Sequence, residues 1–148
     1  MIEFGDNDVF YLSKSGIRSL RARDSSNAAF VGDIGNPIDD LVVAEITANI
    51  ISARNSTAIH EPKDGRYLLA IGSKVYVFSY FPSSKVSAWS IYEPGFSIDK
   101  WAFDGTQILC RSGNQLFSLG GSNGTTYDNS TVTVQMPFLD AGRPASFK

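Results

Sequence analysis

Hydrophobic and polar positions along the chain predict a succession of short antiparallel strands. The densest apolar stretch, residues 65–93, contains three apolar runs, at 66–71, 74–81 and 85–92. Gly72-Ser73 separates the first two runs, and a glycine there supplies the positive φ of a two-residue hairpin. Apolar residues occupy both faces of these runs, so the predicted sheet needs a covering layer on each side.

An internal repeat extends this pattern over most of the chain. Three segments share an apolar run, a polar turn with one glycine, and a second apolar run; their glycines are Gly16, Gly72 and Gly113. Asp64-Gly65 and Asp104-Gly105 mark a further turn in each of the two later units. The interval from Gly72 to Gly113 fits the ~40–45-residue period of propeller blades with four strands each. The predicted strands are 56–59, 66–71, 74–81 and 85–92 in one unit, and 98–103, 107–111, 115–119 and 131–136 in the next.

These units predict an all-β fold of antiparallel meander sheets, arranged as the blades of a partial β-propeller with one inserted helix. The 148 residues have the length of one domain, and the blade-like units lie at about residues 1–24, 53–94 and 95–138. Three units are too few to close a propeller ring of ~4–8 blades. The strand positions of the repeats predict a core that contains Tyr67, Leu69, Val75, Val77, Trp89, Trp101, Phe103, Leu109 and Phe117.

The inserted helix is predicted at residues 37–50. Asn36 is a candidate N-cap, Pro37 suits the first helical position, and Asp39 and Asp40 suit the positive end of the helix dipole. The many β-branched residues leave a strand as the alternative. A helix here packs on the side of the β core or binds a partner, and the first role is the simpler one. The helical spacing rests on Ile38, Leu41, Val42, Glu45, Ile46 and Ile50.

Composition narrows the classes of protein. Hydrophobic residues make up 43% and charged residues 19%, which is typical of a folded domain. The net charge of -2 gives no overall basic surface for nucleic acid. The single cysteine, Cys110, excludes an internal disulfide and a cysteine-based zinc site, and its apolar strand predicts an inert core residue. We expect no membrane span, because no apolar run approaches the ~18 residues of a membrane helix.

Residues suited to catalysis or metal binding are sparse. His60 is the only histidine, and the adjacent Glu61 points to the opposite face of the same predicted strand. Asp6-Asn7-Asp8 lacks the downstream glycine and glutamate of a calcium loop, so we interpret it as a turn. The sequence therefore predicts no catalytic residue, no cofactor and no metal site, and we expect a protein that is not an enzyme.

Arg18, Arg21 and Arg23 form the one local basic cluster. On a strand Arg21 and Arg23 share a face, which suits a contact with phosphate, DNA or an acidic partner. A solvated edge that resists strand addition is the simpler interpretation.

Four segments resemble tail proteins of tailed bacteriophages, and are most similar to the packaged-DNA stabilisation or tail-nozzle family. They are residues 9–20, 65–80, 88–92 and 137–140. The resemblance implies a propeller-bearing structural subunit of the virion tail, made in the bacterial host cytoplasm, with other tail subunits as partners. It also implies membership of a ring, here a possible homo-oligomer, with only passing contact with DNA. Members of that family are longer, so we expect the chain to be a fragment or a shortened relative.

Association through sheet faces or edges follows from an open array of blades. Our candidate edges are the strands at residues 1–4 and 131–138, with Val132 and Val134 as the test positions. The alternative is a ligand- or carbohydrate-binding β module that uses aromatic side chains as stacking platforms. Its candidate residues are Trp89, Trp101, Tyr80 and Tyr92, although core packing also accounts for aromatics at regular strand positions.

Overall fold

The computed structural model describes residues 2–4, 8–20, 34–63, 65–81 and 86–119. The strands in these ranges are β1 (Ile2–Phe4), β2 (Asp8–Ser13), β3 (Gly16–Ser19), β4 (Thr57–Glu61), β5 (Arg66–Ile71), β6 (Lys74–Phe81), β7 (Val86–Tyr92), β8 (Lys100–Phe103), β9 (Ile108–Ser112) and β10 (Gln115–Leu119). The helices are α1 (Asp39–Ala48), which follows a 3-10 turn at Asn36–Ile38, and α2 (Ile50–Arg54).

Strands β4 to β7 form a four-stranded antiparallel sheet in chain order, here called the central sheet. The register places Leu68 opposite Val77 on one face, and Leu69 opposite Tyr76 on the other. All four side chains are buried. The central sheet is therefore apolar and covered on both faces along β5 and β6, as the sequence predicts, whereas the edge strand β7 is mostly exposed.

Two three-stranded antiparallel sheets flank the central sheet. The first sheet has the order β1-β2-β3 and the third sheet the order β8-β9-β10. Strand β4 contacts both β1 and β8, so the first strands of the three sheets are neighbours. The result is a stack of three sheets, and the described strands do not close it into a ring.

Each face of the central sheet belongs to a separate hydrophobic core. The first core lies between the central sheet, the first sheet and the helices, and the second core lies between the central sheet and the third sheet. In the first core the Phe10 ring meets Tyr67 and Phe78 edge-on, at centroid distances of 5.2 and 5.9 Å. The buried members of the first core are Phe10, Ile17, Ile38, Val42, Ala53, Tyr67, Leu69, Ile71, Tyr76 and Phe78. Those of the second core are Leu68, Ala70, Val75, Val77, Ile98, Ile108 and Cys110.

The predicted core is only partly correct. The four predicted residues on β5 and β6 are buried: Tyr67, Leu69, Val75 and Val77. The other five are partly exposed: Trp89, Trp101, Phe103, Leu109 and Phe117. Only Leu109 lies on the outer face of the third sheet, which the described residues leave uncovered. Trp101, Phe103 and Phe117 lie on the inner face of that sheet, Trp89 lies on the edge strand β7, and these four pack only partly against the two cores.

Two of the three glycines predicted in turns, Gly72 and Gly113, do occupy hairpin turns. The prediction for Gly16 is wrong. Gly72 and Gly113 have φ values of +62° and +56° and occupy the first central position of their hairpins. Gly16 instead pairs with Ser13 as the first residue of β3, outside the turn. A Cβ on Gly16 would lie 1.9 Å from Asp39 Oδ1. The close approach of helix α1 and the φ of +116° at Gly16 both favour glycine at this position.

The helical insertion is confirmed and extends further than predicted. Asn36 is not an N-cap, because it is the first residue of the 3-10 turn and makes no capping bond with its side chain. Asp39 and Asp40 do occupy the first turn of α1. Asn49 interrupts the helix, and its Nδ2 donates to Glu45 Oε1 at 2.7 Å. The residues of the predicted apolar stripe differ in burial: Ile38 and Val42 are buried, whereas Leu41 and Ile50 are exposed.

One ion pair ties α1 to the central sheet. Lys74 Nζ donates to Glu45 Oε2 at 2.7 Å, from the start of β6. This hydrogen bond lowers the pKa of Glu45, and the same bond raises the pKa of Lys74. The pair gives α1 a polar attachment in addition to its buried Val42.

The predicted antiparallel meander sheets with an inserted helix are thus observed, with α2 as an additional helix. The predicted strand at 131–136, the fourth of its unit, lies outside the described residues.

Candidate functional site

Arg18 is held inside the fold rather than presented to a partner. It is 9% exposed, and its Nη1 donates to Asp39 Oδ1 at 2.8 Å and to the carbonyl of Ile17 at 2.9 Å. Its Nη2 donates to the carbonyl of Ser15. The guanidinium therefore joins β3 to α1, which argues against the predicted contact of Arg18 with phosphate, DNA or an acidic partner. Arg21 and Arg23, the other two members of the basic cluster, lie outside the described residues.

The candidate association edges are largely beyond the described ranges as well. Val132 and Val134 belong to the part of the chain after residue 119. Strand β1 is described, and it pairs with β2.

The four aromatic residues considered for ligand stacking do not form one platform. Trp89 Nε1 donates to the carbonyl of Ile34 at 2.8 Å, and Trp101 Nε1 donates to the carbonyl of Thr57 at 3.2 Å. Both indoles are half-buried against the cores. Tyr80 and Tyr92 are more exposed, but Tyr92 lies opposite Val75, and Tyr80 lies on the other face of the central sheet with Tyr76. This distribution does not suit a sugar-stacking surface.

His60 and Glu61 lie on opposite faces of β4, as the strand geometry predicts. His60 faces Tyr67, whereas Glu61 is buried and accepts a hydrogen bond from Arg66 Nε. Burial lowers the pKa of His60, and the Glu61 charge partly offsets this effect. The two side chains therefore point to opposite sides of the central sheet. Among the described residues, no group of three or more His, Cys, Asp and Glu side chains is arranged to hold a metal ion.

Cys110 and Asp8 have structural roles. Cys110 is buried in the second core, and burial raises the pKa of its thiol. The Asp8 carboxylate accepts hydrogen bonds from Ser19 Oγ at 2.7 and 2.9 Å and from the Val9 N–H at 2.7 Å. A thiol held protonated is a weak nucleophile.

The outer face of the third sheet is mostly exposed. Trp101, Cys110 and Phe117 are register partners that face the second core. The alternate positions therefore face away from it: Lys100, Ala102, Leu109, Arg111, Leu116 and Ser118. Leu116 is 68% exposed on this face. Within the described ranges β10 pairs only with β9, so its other edge has no partner among the described strands.

A pocket of about 480 Å³ lies where the ends of the central and third sheets meet α2. Three cationic residues line it: Arg54 at the end of α2, Lys100 at the start of β8, and Arg111 on β9. We call it the cationic pocket. The remaining lining residues are Ile51, Ser52, Asn55, Ser56, Gly72, Ser97, Ile98 and Asp99.

Backbone hydrogen bonds fix the walls of the cationic pocket. The Ile98 N–H donates to the carbonyl of Gly72 at 3.1 Å, and the Asp99 N–H donates to the carbonyl of Arg111 at 2.8 Å. Asp99 Oδ2 accepts the Gly113 N–H at 2.7 Å. The segment before β8 is thereby attached to both sheets, which makes the pocket a defined part of the fold.

Sequence reasoning missed this pocket, although one signal was present. The predicted strands at 98–103 and 107–111, joined at Asp104-Gly105, place Lys100 and Arg111 near the same end of one hairpin. The predicted bounds are one residue away from the observed register, in which these two residues are partners. No sequence signal connects Arg54 with them, because it comes from a short helix before the central sheet.

Comparison of the chain with protein-family models, with curated proteins and with solved structures found no match. In the described part of the chain, no helix has the length and apolar character that a membrane crossing requires.

Proposed function

We propose that this chain is a structural subunit, or a fragment of one, of a bacteriophage tail. Its place is the tail nozzle, on the far side of the portal, and its role is virion assembly and the retention or passage of packaged DNA. The observation that carries the proposal is the open stack of three sheets. Its first strands, β1, β4 and β8, are neighbours, and its last described sheet has an exposed outer face.

The stack is consistent with consecutive propeller blades, which are successive antiparallel sheets around a common centre. The resemblance of residues 9–20 and 65–80 to tail-nozzle proteins covers β2 and β3 of the first sheet, and β5 and β6 of the central sheet. A partial propeller leaves a terminal sheet at each end with a neighbour on one face only, and apolar groups on the other face favour association.

The outer face of the third sheet and the free edge of β10 are the proposed contact surfaces. Leu116 supplies an exposed apolar side chain on the face. The edge of β10 offers backbone N–H and C=O groups that can pair with a strand of another chain, or with the predicted strand that contains Val132 and Val134. The partners are other tail subunits or further copies of this chain.

Carbohydrate binding is less well supported. The indole N–H groups of Trp89 and Trp101 already donate to backbone carbonyls, and both rings pack against the cores. Tyr80 and Tyr92 lie on opposite faces of one sheet, so a single sugar chain does not reach both.

Mass spectrometry of purified virions tests the proposed location. Particles of the phage whose genome encodes the sequence should contain peptides of this chain, at a stoichiometry comparable to other tail proteins. Tailless capsids from the same host culture are the matched control and should lack them. Absence of the chain from intact, tailed particles would overturn the virion role.

Sedimentation velocity tests the proposed surface. Leu116→Lys should shift the chain toward monomer, because it places a charge on the outer face of the third sheet. Leu41→Lys is the control, since Leu41 is also exposed, at 54%, but lies on α1 at the other side of the stack. Equal effects of the two substitutions would show that the third sheet is not the contact surface. A chain that is monomeric at high concentration would limit association to other tail subunits.

A further inference from the structure

Two of the cationic residues that line the cationic pocket are cross-strand neighbours. Lys100 and Arg111 are register partners on β8 and β9, and like charges directly opposite each other destabilise a sheet. Neither side chain makes a hydrogen bond or ion pair within the described ranges. Packing does not explain the arrangement, because both side chains are exposed.

The one acidic residue of the pocket offsets only one of the three positive charges. Asp99 is the one carboxylate in the lining, and its Oδ2 already accepts the Gly113 N–H. The lining therefore contains three cationic residues and one carboxylate, in a chain whose net charge is -2. The pocket is a local concentration of positive charge that the composition does not reveal.

The other lining groups complete an anion-binding surface. Hydroxyl groups of Ser52, Ser56 and Ser97 and the side-chain amide of Asn55 can donate hydrogen bonds. The volume of about 480 Å³ lies in the range of ~300–1,000 Å³ that small-ligand sites occupy. It exceeds the space that one small inorganic anion needs, so the pocket can also hold a larger ligand that carries the anion.

We propose that the cationic pocket binds a phosphate group, either as free phosphate or as the phosphate of a small ligand such as a nucleotide. A phosphate dianion matches the excess of positive charge better than a carboxylate does, because it has more charge and more acceptor oxygens. Arg54 and Arg111 offer the planar N–H fork that suits phosphate oxygens, and Lys100 adds a point charge. This binding does not rest on the proposed role in a phage tail.

An NMR titration at low ionic strength tests the proposal. The uniformly ¹⁵N-labelled chain is titrated with inorganic phosphate, with adenosine monophosphate, and with adenosine as the matched ligand without phosphate. Saturable shifts are expected at the backbone amides of residues 97–100 and 111–113 for the two phosphate compounds, and no shifts for adenosine. Added sodium chloride should weaken the binding, because screening reduces the attraction between the charges.

Substitutions locate the site. Lys100→Gln and Arg111→Gln should each weaken phosphate binding by about tenfold, the effect of losing one hydrogen bond to a charged group. Lys14→Gln removes the same charge from an exposed turn of the first sheet and should leave binding unchanged. Without phosphate, Lys100→Gln should unfold at the same or a higher temperature than the unsubstituted chain, because it removes the repulsion from Arg111.

The outcomes separate the sources of the phosphate. Equal affinity for inorganic phosphate and adenosine monophosphate would identify a free phosphate site, and tighter binding of the nucleotide would identify a site for a larger ligand. Shifts that do not saturate, or an equal loss of affinity in Lys14→Gln, would overturn the proposal. A lower unfolding temperature of Lys100→Gln would contradict the repulsion on which it depends.

Discussion

The central sheet and the third sheet carry the same local signals and differ in burial. Each begins with a strand that ends before an Asp-Gly turn, and each has a later hairpin with glycine at its first central position, Gly72 or Gly113. Five of the six residues of β5 are buried, whereas two of the five in β9 and none in β10 are buried. The local sequence therefore does not decide how much of a strand is covered.

Position in the stack decides it. The central sheet has a described neighbour on each face, and the third sheet has one on its inner face only. In repeat architectures each unit is stabilised by its neighbours, so a terminal unit keeps an unsatisfied face. Local sequence therefore determines where strands form, whereas neighbouring sheets determine how far those strands are buried.

Two matched leucines give the largest expected contrast. Leu68 is fully buried in the central sheet, whereas Leu116 is 68% exposed in the third sheet. Leu68→Ala should lower the free energy of unfolding by about 3–5 kcal/mol, because it leaves a cavity in a core that is covered on both sides. Leu116→Ala should change it by about 0.5 kcal/mol or less. Urea denaturation of both variants measures the contrast, and similar losses would show that both sheets are equally covered.

Substitution of the two tryptophans should give similar losses of stability in the central and third sheets, because each indole faces a core. Trp89 contacts Phe78, with ring centroids 5.1 Å apart, and Trp101 packs on the second core from the third sheet. Each Trp→Ala substitution should cost about 2–3 kcal/mol, less than a fully buried tryptophan because both are half-exposed. Equilibrium denaturation followed by circular dichroism measures the cost. A loss below about 1 kcal/mol for Trp101 alone would show that the inner face of the third sheet is not a core.

The two turn glycines test whether the hairpins are equivalent. Gly113→Ala should cost about 1–2 kcal/mol for the left-handed conformation alone, since nothing lies within 4 Å of an added Cβ. Gly72→Ala carries the same strain, and its Cβ would also lie 3.3 Å from Ser52 Oγ. Thermal unfolding should therefore rank Gly72→Ala as the more destabilising. The double variant Gly72→Ala with Ser52→Ala should bring the two turns to equal cost.

Loss of the Glu45–Lys74 ion pair should have the smallest effect on the free energy of unfolding. Glu45→Gln should lower stability by about 0.5–1 kcal/mol at neutral pH, because the pair is partly exposed and screened by solvent. The pKa of Glu45 lies below its ordinary value of 4.5, so the stabilisation is present above that pH and is lost as the pH falls through the lowered pKa. Denaturation at several pH values should show the variant and the unsubstituted chain converging in acid. A difference that persists after Glu45 is protonated would rule out the pair as its cause.

The strands were predictable because their ends are marked by turn residues. Predicted and observed bounds of β4 to β10 agree within about two residues, since Gly72, Gly105 and Gly113 have positive φ where the hairpins turn. Contacts between distant segments were not predictable. Arg18 is buried because Asp39, 21 residues later, pairs with it, and no local pattern contains that information. The short helix α2 and its Arg54 escaped prediction for the same reason, because a five-residue helix depends on its tertiary setting.

Pairing between sequence neighbours has a kinetic consequence. Every strand pair in the described ranges joins strands that follow each other along the chain. Hairpins of this kind close within ~1–10 μs, without any long loop to order first. Tyr67 and Leu68 lose their contact with water only when one complete sheet docks on another. We therefore expect docking to limit the folding rate, with the central sheet as the surface on which the two flanking sheets arrive.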